Sequence, residues 1–258
     1  MQNLLVYSNE FKSLSNLFKL EDNMSVIAGP CSVEDEEQLD KIAQCLIEHN
    51  VRFMRAGTFK PRTSPYEFQG LGLEGLKILN EIRKRYNLFA ITEILDSSDL
   101  DSALQYADII QIGSRNMMNY ALLKEVGKLD FPVILKRGMM SSYEEFMYAA
   151  EYIVSHGNDK LILCERGIRT YCTHVRNMLD ISAIALIKQD TSMPVIVDLS
   201  HSLGRKDIIG TVQKAVMAIG VDGIMVELHP NPEQALSDVD KQLDLDEFES
   251  FMNVFHNN

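Results

Sequence analysis

IIQIGSRNMMNYALLKEVGKLDFPVILKRG, residues 109–138, sets two short apolar runs on either side of a helical pattern. The runs IIQIG (109–113) and PVILKRG (132–138) are too short and too continuously apolar for a sheet with one wet face. They suit strands covered on both faces. YALLKEVGKL between them repeats its apolar residues as one face of a helix does. Strand, helix and strand in this order predict a parallel pair joined by a right-handed crossover.

The same unit recurs in both directions. SVIAG (25–29), RFMRAG (52–57) and FAITEI (89–94) precede it, and LILCERG (161–167), PVIVDLS (194–200) and GIMVELH (223–229) follow. Helical patterns lie between, among them EDEEQLDKIAQCLIEHN, LEGLKILNEIRKRYN, SDLDSALQYA, SYEEFMYAAEYIVSHG, NMLDISAIALIKQ and RKDIIGTVQKAVMAIG, with DLDEFESFMNVF closing the series. Eight strands in strict alternation with helices predict an α/β fold, a single (β/α)8 TIM barrel. An open doubly wound sheet fits less well, because no GxGxxG turn follows the first strand. The first 22 residues are expected to form a short N-terminal extension, a cap or helix at most, and 23–258 one catalytic domain with no built-in inhibitor domain.

Composition agrees with an ordinary globular protein of 258 residues, 46% hydrophobic and 24% charged. Its formal charge of −12 argues against nucleic acid or an anionic membrane as partner, since both need a basic face. No apolar run is long enough to span a bilayer, and the N-terminus lacks a basic region followed by an apolar block. Cys31, Cys45, Cys164 and Cys172 show neither CxxC spacing nor the density of a disulfide framework, which predicts the reducing cytoplasm.

In a barrel enzyme the site lies at the C-terminal ends of the strands. Those ends carry Cys31, Arg55, Glu93, Arg115, Lys136-Arg137, Glu165-Arg166, Asp198 with His201, and Glu227 with His229. Every strand is expected to bring an ionisable residue to one rim. Arg55, Lys60, Arg62, Arg115, Lys136 and Arg166 form a cationic set suited to phosphate and carboxylate. Pairing with rim acids such as Glu93 and Glu165 is the bland alternative. Cys31, His201, Glu227 and Asp238 mix soft and hard donors able to hold a transition metal, although their spacing is no local finger motif. A buried structural cysteine and a hydrogen-bonded histidine remain open for Cys31 and His201 on composition alone. The other cysteines and His49, His156, His174 and His256 are read as structural.

The motifs IAGPCSVE, RAGTFKPRTSPYEFQGLG, ITEILD, QIGSRNMMN, ILKRGM, CERGIRTY, VDLSHSLGRKD and VELHPNPEQALSD resemble 3-deoxy-arabino-heptulosonate 7-phosphate (DAHP) synthase. The resemblance is to the short form related to 3-deoxy-octulosonate 8-phosphate synthase and runs from residue 25 to about 243. It implies a transferase that condenses phosphoenolpyruvate with erythrose 4-phosphate, releases inorganic phosphate and opens the shikimate pathway to aromatic amino acids. It implies one divalent metal ion of the Mn, Fe, Co or Zn type on Cys31, His201, Glu227 and Asp238. Phosphoenolpyruvate is expected on Arg55, Lys60, Arg115, Lys136 and Arg166, with N–H donors from Gly113 and Ser114, and erythrose 4-phosphate on Arg62 and Thr63. The octulosonate enzyme typically has an Asn-Arg-Ser turn where Pro61-Arg62-Thr63-Ser64 stands, so the four-carbon acceptor is favoured over arabinose 5-phosphate. A homo-oligomer, dimer or tetramer, is expected.

Two stretches depart from the pattern. Val239-Asp240-Lys241 replaces the common Gly-containing continuation after Asp238, and Cys172 and His174 stand where other residues are usual. For the chemistry, Lys60 is expected to donate a proton to the developing alkoxide, with its pKa lowered by neighbouring positive charge. Two further readings are a Schiff-base aldolase using Lys136 and a phosphosugar-binding protein without turnover.

Overall fold

The apolar runs form eight parallel strands: β1 Ser25–Gly29, β2 Phe53–Arg55, β3 Phe89–Ile94, β4 Ile109–Ile112, β5 Val133–Lys136, β6 Leu161–Glu165, β7 Val195–Asp198 and β8 Gly223–Glu227. Each pairs with its sequence neighbour, and β8 pairs back to β1 from Ser25↔Gly223 to Gly29↔Glu227, closing a TIM barrel. The computed structural model describes residues 4–21 and 24–256.

Among the described residues, ten α-helices accompany them: α1 Leu14–Phe18, α2 Glu36–Glu48, α3 Leu73–Tyr86, α4 Leu100–Tyr106, α5 Tyr120–Gly127, α6 Tyr143–Val154, α7 Ile181–Asp190, α8 Leu199–Leu203, α9 Ile209–Ile219 and α10 Leu245–His256. Their starts are chemically marked. The side chains of Asp35, Asn119 and Asp180 cap α2, α5 and α7, and Ser142 and Glu145 make a reciprocal capping box on α6. The short α8 is absent from the sequence reading, because LSHSL is too brief to show a helical period. The expected 22/23 domain boundary falls outside the described residues.

Strand alternation divides the core in two. Outward residues such as Ala28, Met54, Ile110, Val133, Leu163 and Val197 pack under the helices. Inward residues Ile27, Phe53, Ile91, Ile109, Ile134, Ile162, Cys164, Ile196 and Met225 fill the barrel. Leu14 of α1 joins this inner cluster, and Phe18 meets the rings of Phe53 and Phe89 at centroid distances of 5.3 and 4.5 Å, so α1 closes the barrel floor. One inward step further along the strands, the apolar filling gives way to Arg55, Glu93, Lys136, Arg166, Asp198 and Glu227, and Cys31 follows two steps beyond Ile27. The barrel therefore supplies a greasy base and a charged upper layer from one period of two.

Gly29, at the end of β1, lies against the backbone of Arg55 on β2. Its φ of +146° is rare for L side chains, and a Cβ there would lie 2.1 Å from the Arg55 carbonyl oxygen. Gly29→Ala is expected to lower stability by about 3 kcal/mol in urea unfolding; an unchanged midpoint and slope would show that β1 can move away from β2 without penalty.

Candidate active site

Asp198 ends β7 and caps α8, its Oδ1 accepting the His201 backbone N–H at 2.9 Å. Its Oδ2 lies 2.8 Å from His201 Nδ1 and also receives the Lys136 ammonium. One carboxylate thus sets the ring direction of His201 and the position of Lys136. Burial opposes its ionisation, but the charges of His201 and Lys136 hold it well below the usual carboxylate range.

With Nδ1 tied to Asp198, His201 turns Nε2 toward two acids, 3.6 Å from Glu227 Oε1 and 3.6 Å from Asp238 Oδ2. Cys31 Sγ stands 3.4 Å from Asp238 Oδ2. One ligand atom from each of Cys31, Glu227 and Asp238 lies within 4.8 Å of the other two. Glu227 is completely buried, and neither carboxylate oxygen accepts a hydrogen bond of good geometry, although Arg55 Nη1 is 3.0 Å away. A buried acceptor without a donor is costly, and a divalent cation is the partner that would satisfy it. Thiol, imidazole and two carboxylates, with a carboxylate behind the imidazole, form a donor set that fits such an ion. Burial and the charge of Glu227 push the Cys31 thiol up to about 11.

Beside this cluster opens a cavity of about 280 Å³ lined by six cations, Lys60, Arg62, Arg115, Lys136, Arg166 and Arg176, against three acids, Glu67, Glu93 and Asp238. Pro61, Thr63, Gly113, Ser114, Met139 and His201 complete the wall. Arg166 is 3% exposed, and its bonds among the described residues go to the carbonyls of Gly167 and His201, at 3.3 and 3.2 Å. Burial and the Arg176 charge lower its pKa. Lys60 Nζ donates to the Cys31 carbonyl at 3.0 Å. So many cations in a pocket with half as many acids call for anionic ligands. A larger cavity of about 540 Å³ at the other end of the barrel, walled by Arg52, Lys214, Met217 and Phe255 among others, has no comparable donor cluster among the described residues.

Of the residues expected at the site, Lys60, Arg62, Thr63, Gly113, Ser114, Arg115, Lys136, Arg166, His201 and Asp238 line the cavity, and Cys31 and Glu227 belong to the adjoining cluster. Arg55 is buried behind the wall, donating to the Cys31 carbonyl at 3.4 Å and pairing with Glu227. Gly113 has a steric reason, since a Cβ there would come within 1.9 Å of Glu93 Oε1. Three expectations are corrected. Arg137 and Glu165 do not reach the rim: they alternate with Lys136 and Arg166, point outward, and meet each other at 2.9 Å. His229 faces Glu34 at 3.5 Å, away from the cavity. Lys60 does not have a lowered pKa: burial and Arg55 pull it down, but Cys31, Glu93 and Glu227 more than offset them. Arg176 and the anchoring role of Asp198 were missed. Arg176 sits in an irregular loop with no periodic signal, whereas Asp198, three residues before His201, carries the N-cap signature of α8. The pairing of Lys136 with Asp198 also disfavours a Schiff base, which needs a neutral amine.

The fold and site define a class: a TIM-barrel enzyme with an anion pocket beside a mixed thiol, imidazole and carboxylate cluster. The DAHP synthetase I family matches residues 14–257, and the chain belongs to that family. The chain is 50% identical over 228 residues to phospho-2-dehydro-3-deoxyheptonate aldolase of Thermotoga maritima, covering 88% of this chain and 68% of the relative. The crystal structure of that Thermotoga DAHP synthase superposes with a TM-score of 0.92 at 45% identity, covering 96% of this chain and 73% of the other. A 2-dehydro-3-deoxyphosphooctonate aldolase of Syntrophotalea carbinolica is 30% identical over 242 residues, 87% of this chain and 86% of the relative. Among the described residues, no helix is long and apolar enough to cross a membrane.

The outward Arg137 braces the residues that carry two pocket cations. It contacts Glu165 at 2.9 Å, Asp180 at 2.8 Å and the Ser141 carbonyl at 3.1 Å, while Glu165 accepts the Gly167 N–H at 2.6 Å. Arg137→Met strands a buried carboxylate and is expected to cost about 3–5 kcal/mol, with Glu165→Gln in the same chain recovering part of it. Burial raises the folded pKa of Glu165 even beside Arg137, and that arginine lowers the pKa of Asp180. Without Arg137 both folded pKa values rise, so the deficit should widen with increasing pH and narrow toward the ordinary carboxyl range. Stability curves at several pH values check this; a deficit independent of pH rejects it.

Proposed function

We propose that the chain is a 3-deoxy-7-phosphoheptulonate synthase, condensing phosphoenolpyruvate with erythrose 4-phosphate to give DAHP and inorganic phosphate at the entry to the shikimate pathway. The observation that carries this reading is the cavity with its excess of cations beside the Cys31, Glu227 and Asp238 cluster. Family membership supports it, and the 50% identity to the heptonate enzyme against 30% to the octonate enzyme favours the four-carbon acceptor. The Pro61-Arg62-Thr63-Ser64 turn at the cavity wall points the same way.

In this reading residues 23–258 form the catalytic barrel. Lys60, Arg115, Lys136 and Arg166 grip phosphoenolpyruvate, Arg55 braces the pocket from behind, and Gly113 and Ser114 add backbone donors. Arg62 and Thr63, nearer the rim, take the phosphate of erythrose 4-phosphate. Cys31, His201, Glu227 and Asp238 would hold one divalent ion of the Mn, Fe, Co or Zn type, which when bound supplies Lewis-acid polarisation or orientation of the aldehyde. The enol carbon of phosphoenolpyruvate attacks that aldehyde, and Lys60 Nζ donates its proton to the developing alkoxide. Its raised pKa keeps the ammonium charged before transfer. Water then adds at the phosphate-bearing carbon, and phosphate leaves by C–O cleavage while the arginines hold its charge. A cytoplasmic dimer or tetramer completes the proposal, consistent with four free cysteines.

Phosphate release is expected to require both substrates, to stop with a chelator and to return with added metal. Arabinose 5-phosphate should replace erythrose 4-phosphate poorly, and equal turnover of the two would reassign the enzyme. Arg62→Ala should raise KM for erythrose 4-phosphate about tenfold, the scale of one lost charge-assisted contact, and leave KM for phosphoenolpyruvate nearly unchanged. Equal shifts would show that Arg62 serves both substrates.

A further inference from the structure

The two oxygens of Asp238 face different partners. Oδ2 looks into the cluster, 3.4 Å from Cys31 Sγ and 3.6 Å from His201 Nε2. Oδ1 looks away, ion-paired with Lys241 and 3.9 Å from Arg176 Nη1. The Lys241 side chain is only 13% exposed, so solvent screens its charge weakly.

Lys241 is not needed to place the loop. Gln242 accepts the Cys31 backbone N–H at 2.8 Å and donates to the Ser237 carbonyl at 2.9 Å, and the hydroxyls of Ser32 and Ser237 lie 2.7 Å apart. The Leu243 N–H donates to the Glu227 carbonyl at 2.8 Å, and its own carbonyl accepts the His229 N–H at 2.9 Å. These bonds hold both flanks of Lys241, although Asp238 itself has a left-handed φ of +50°. What the lysine side chain adds is charge.

We infer that Lys241 is a built-in counter-ion of Asp238, which holds the carboxylate in place without a metal and keeps the affinity of the site for a divalent cation low. The inference rests on the reading of Cys31, His201, Glu227 and Asp238 as a metal site. An ammonium bonded to one oxygen of a ligand carboxylate lies about 5 Å from an ion on the other oxygen. Even at the dielectric constant of water, repulsion of a doubly charged ion at that distance is worth about tenfold in a binding constant. The opposing effect, freer rotation of one short side chain on an anchored loop, is worth only about two- to fivefold. Repulsion wins, so removing the charge should tighten binding.

The test is Co2+ titration of the metal-stripped full chain, read by visible absorbance and by competition with a chelator. K241Q is expected to bind Co2+ about tenfold more tightly than the wild type, K241R to match the wild type, and Cys31→Ala to lose most of the binding. K241M repeats the measurement if K241Q fails to fold, as judged by near-ultraviolet circular dichroism. Binding by K241Q or K241M no tighter than wild type, with Cys31→Ala still impaired, overturns the counter-ion inference and leaves the metal site standing. Wild type and Cys31→Ala alike in binding would overturn both.

Discussion

The buried carboxylate of Asp198 is the constraint on which the site turns. It receives the Lys136 ammonium from β5, the His201 ring from α8 and the backbone N–H of His201 in the first turn of that helix. Three elements are thereby fixed by one residue with no exposed surface. In so dry a place an ionised acid survives only because cations surround it. The anion pocket and the donor cluster are therefore adjacent parts of one electrostatic structure, with Asp198 as their common wall.

The same balance recurs across the barrel mouth. Glu227 faces Arg55, Asp238 faces Lys241, and Glu165 faces Arg137 on the outer side. Glu165, Asp198 and Asp238 each pair with a cation, whereas among the described residues Lys60 and Arg166 bond carbonyl oxygens. Positive charge beyond that needed for internal pairing accumulates where anionic substrates would sit. The chain as a whole is strongly acidic, so this well is a local inversion produced by bringing distant strand ends together.

The barrel was legible because eight apolar runs alternate with helical periods, and only their ends needed trimming: RFMRAG contracts to Phe53–Arg55, and the last helix of the RKDIIGTVQKAVMAIG stretch begins at Ile209. The convergence of Cys31, His201, Glu227 and Asp238 was legible through motif resemblance, not through spacing, since these residues meet from separate strand ends and loops. Arg137 was misplaced although the rule that places it was at hand: a period of two that turns Lys136 inward turns its neighbour outward. Arg176 was hidden because residues 168–178 form an irregular loop, which carries no periodicity to read. The direction of the Lys60 shift depended on how near Glu93 and Glu227 lie relative to Arg55, a balance of distances that no linear pattern encodes.

The closing seam of the barrel has a bearing on how the protein is made. β1 is synthesised long before its second neighbour β8, with which it pairs from Ser25↔Gly223 to Gly29↔Glu227. Such a distant pairing is slow to form and leaves strand edges open while translation proceeds. Cys31 and Glu227 stand on the two sides of that seam, and Asp238 follows it. A nascent chain in which β8 has not yet docked therefore lacks the thiol–carboxylate cluster altogether, so an ion captured through this cluster can enter only after the last strand is in place.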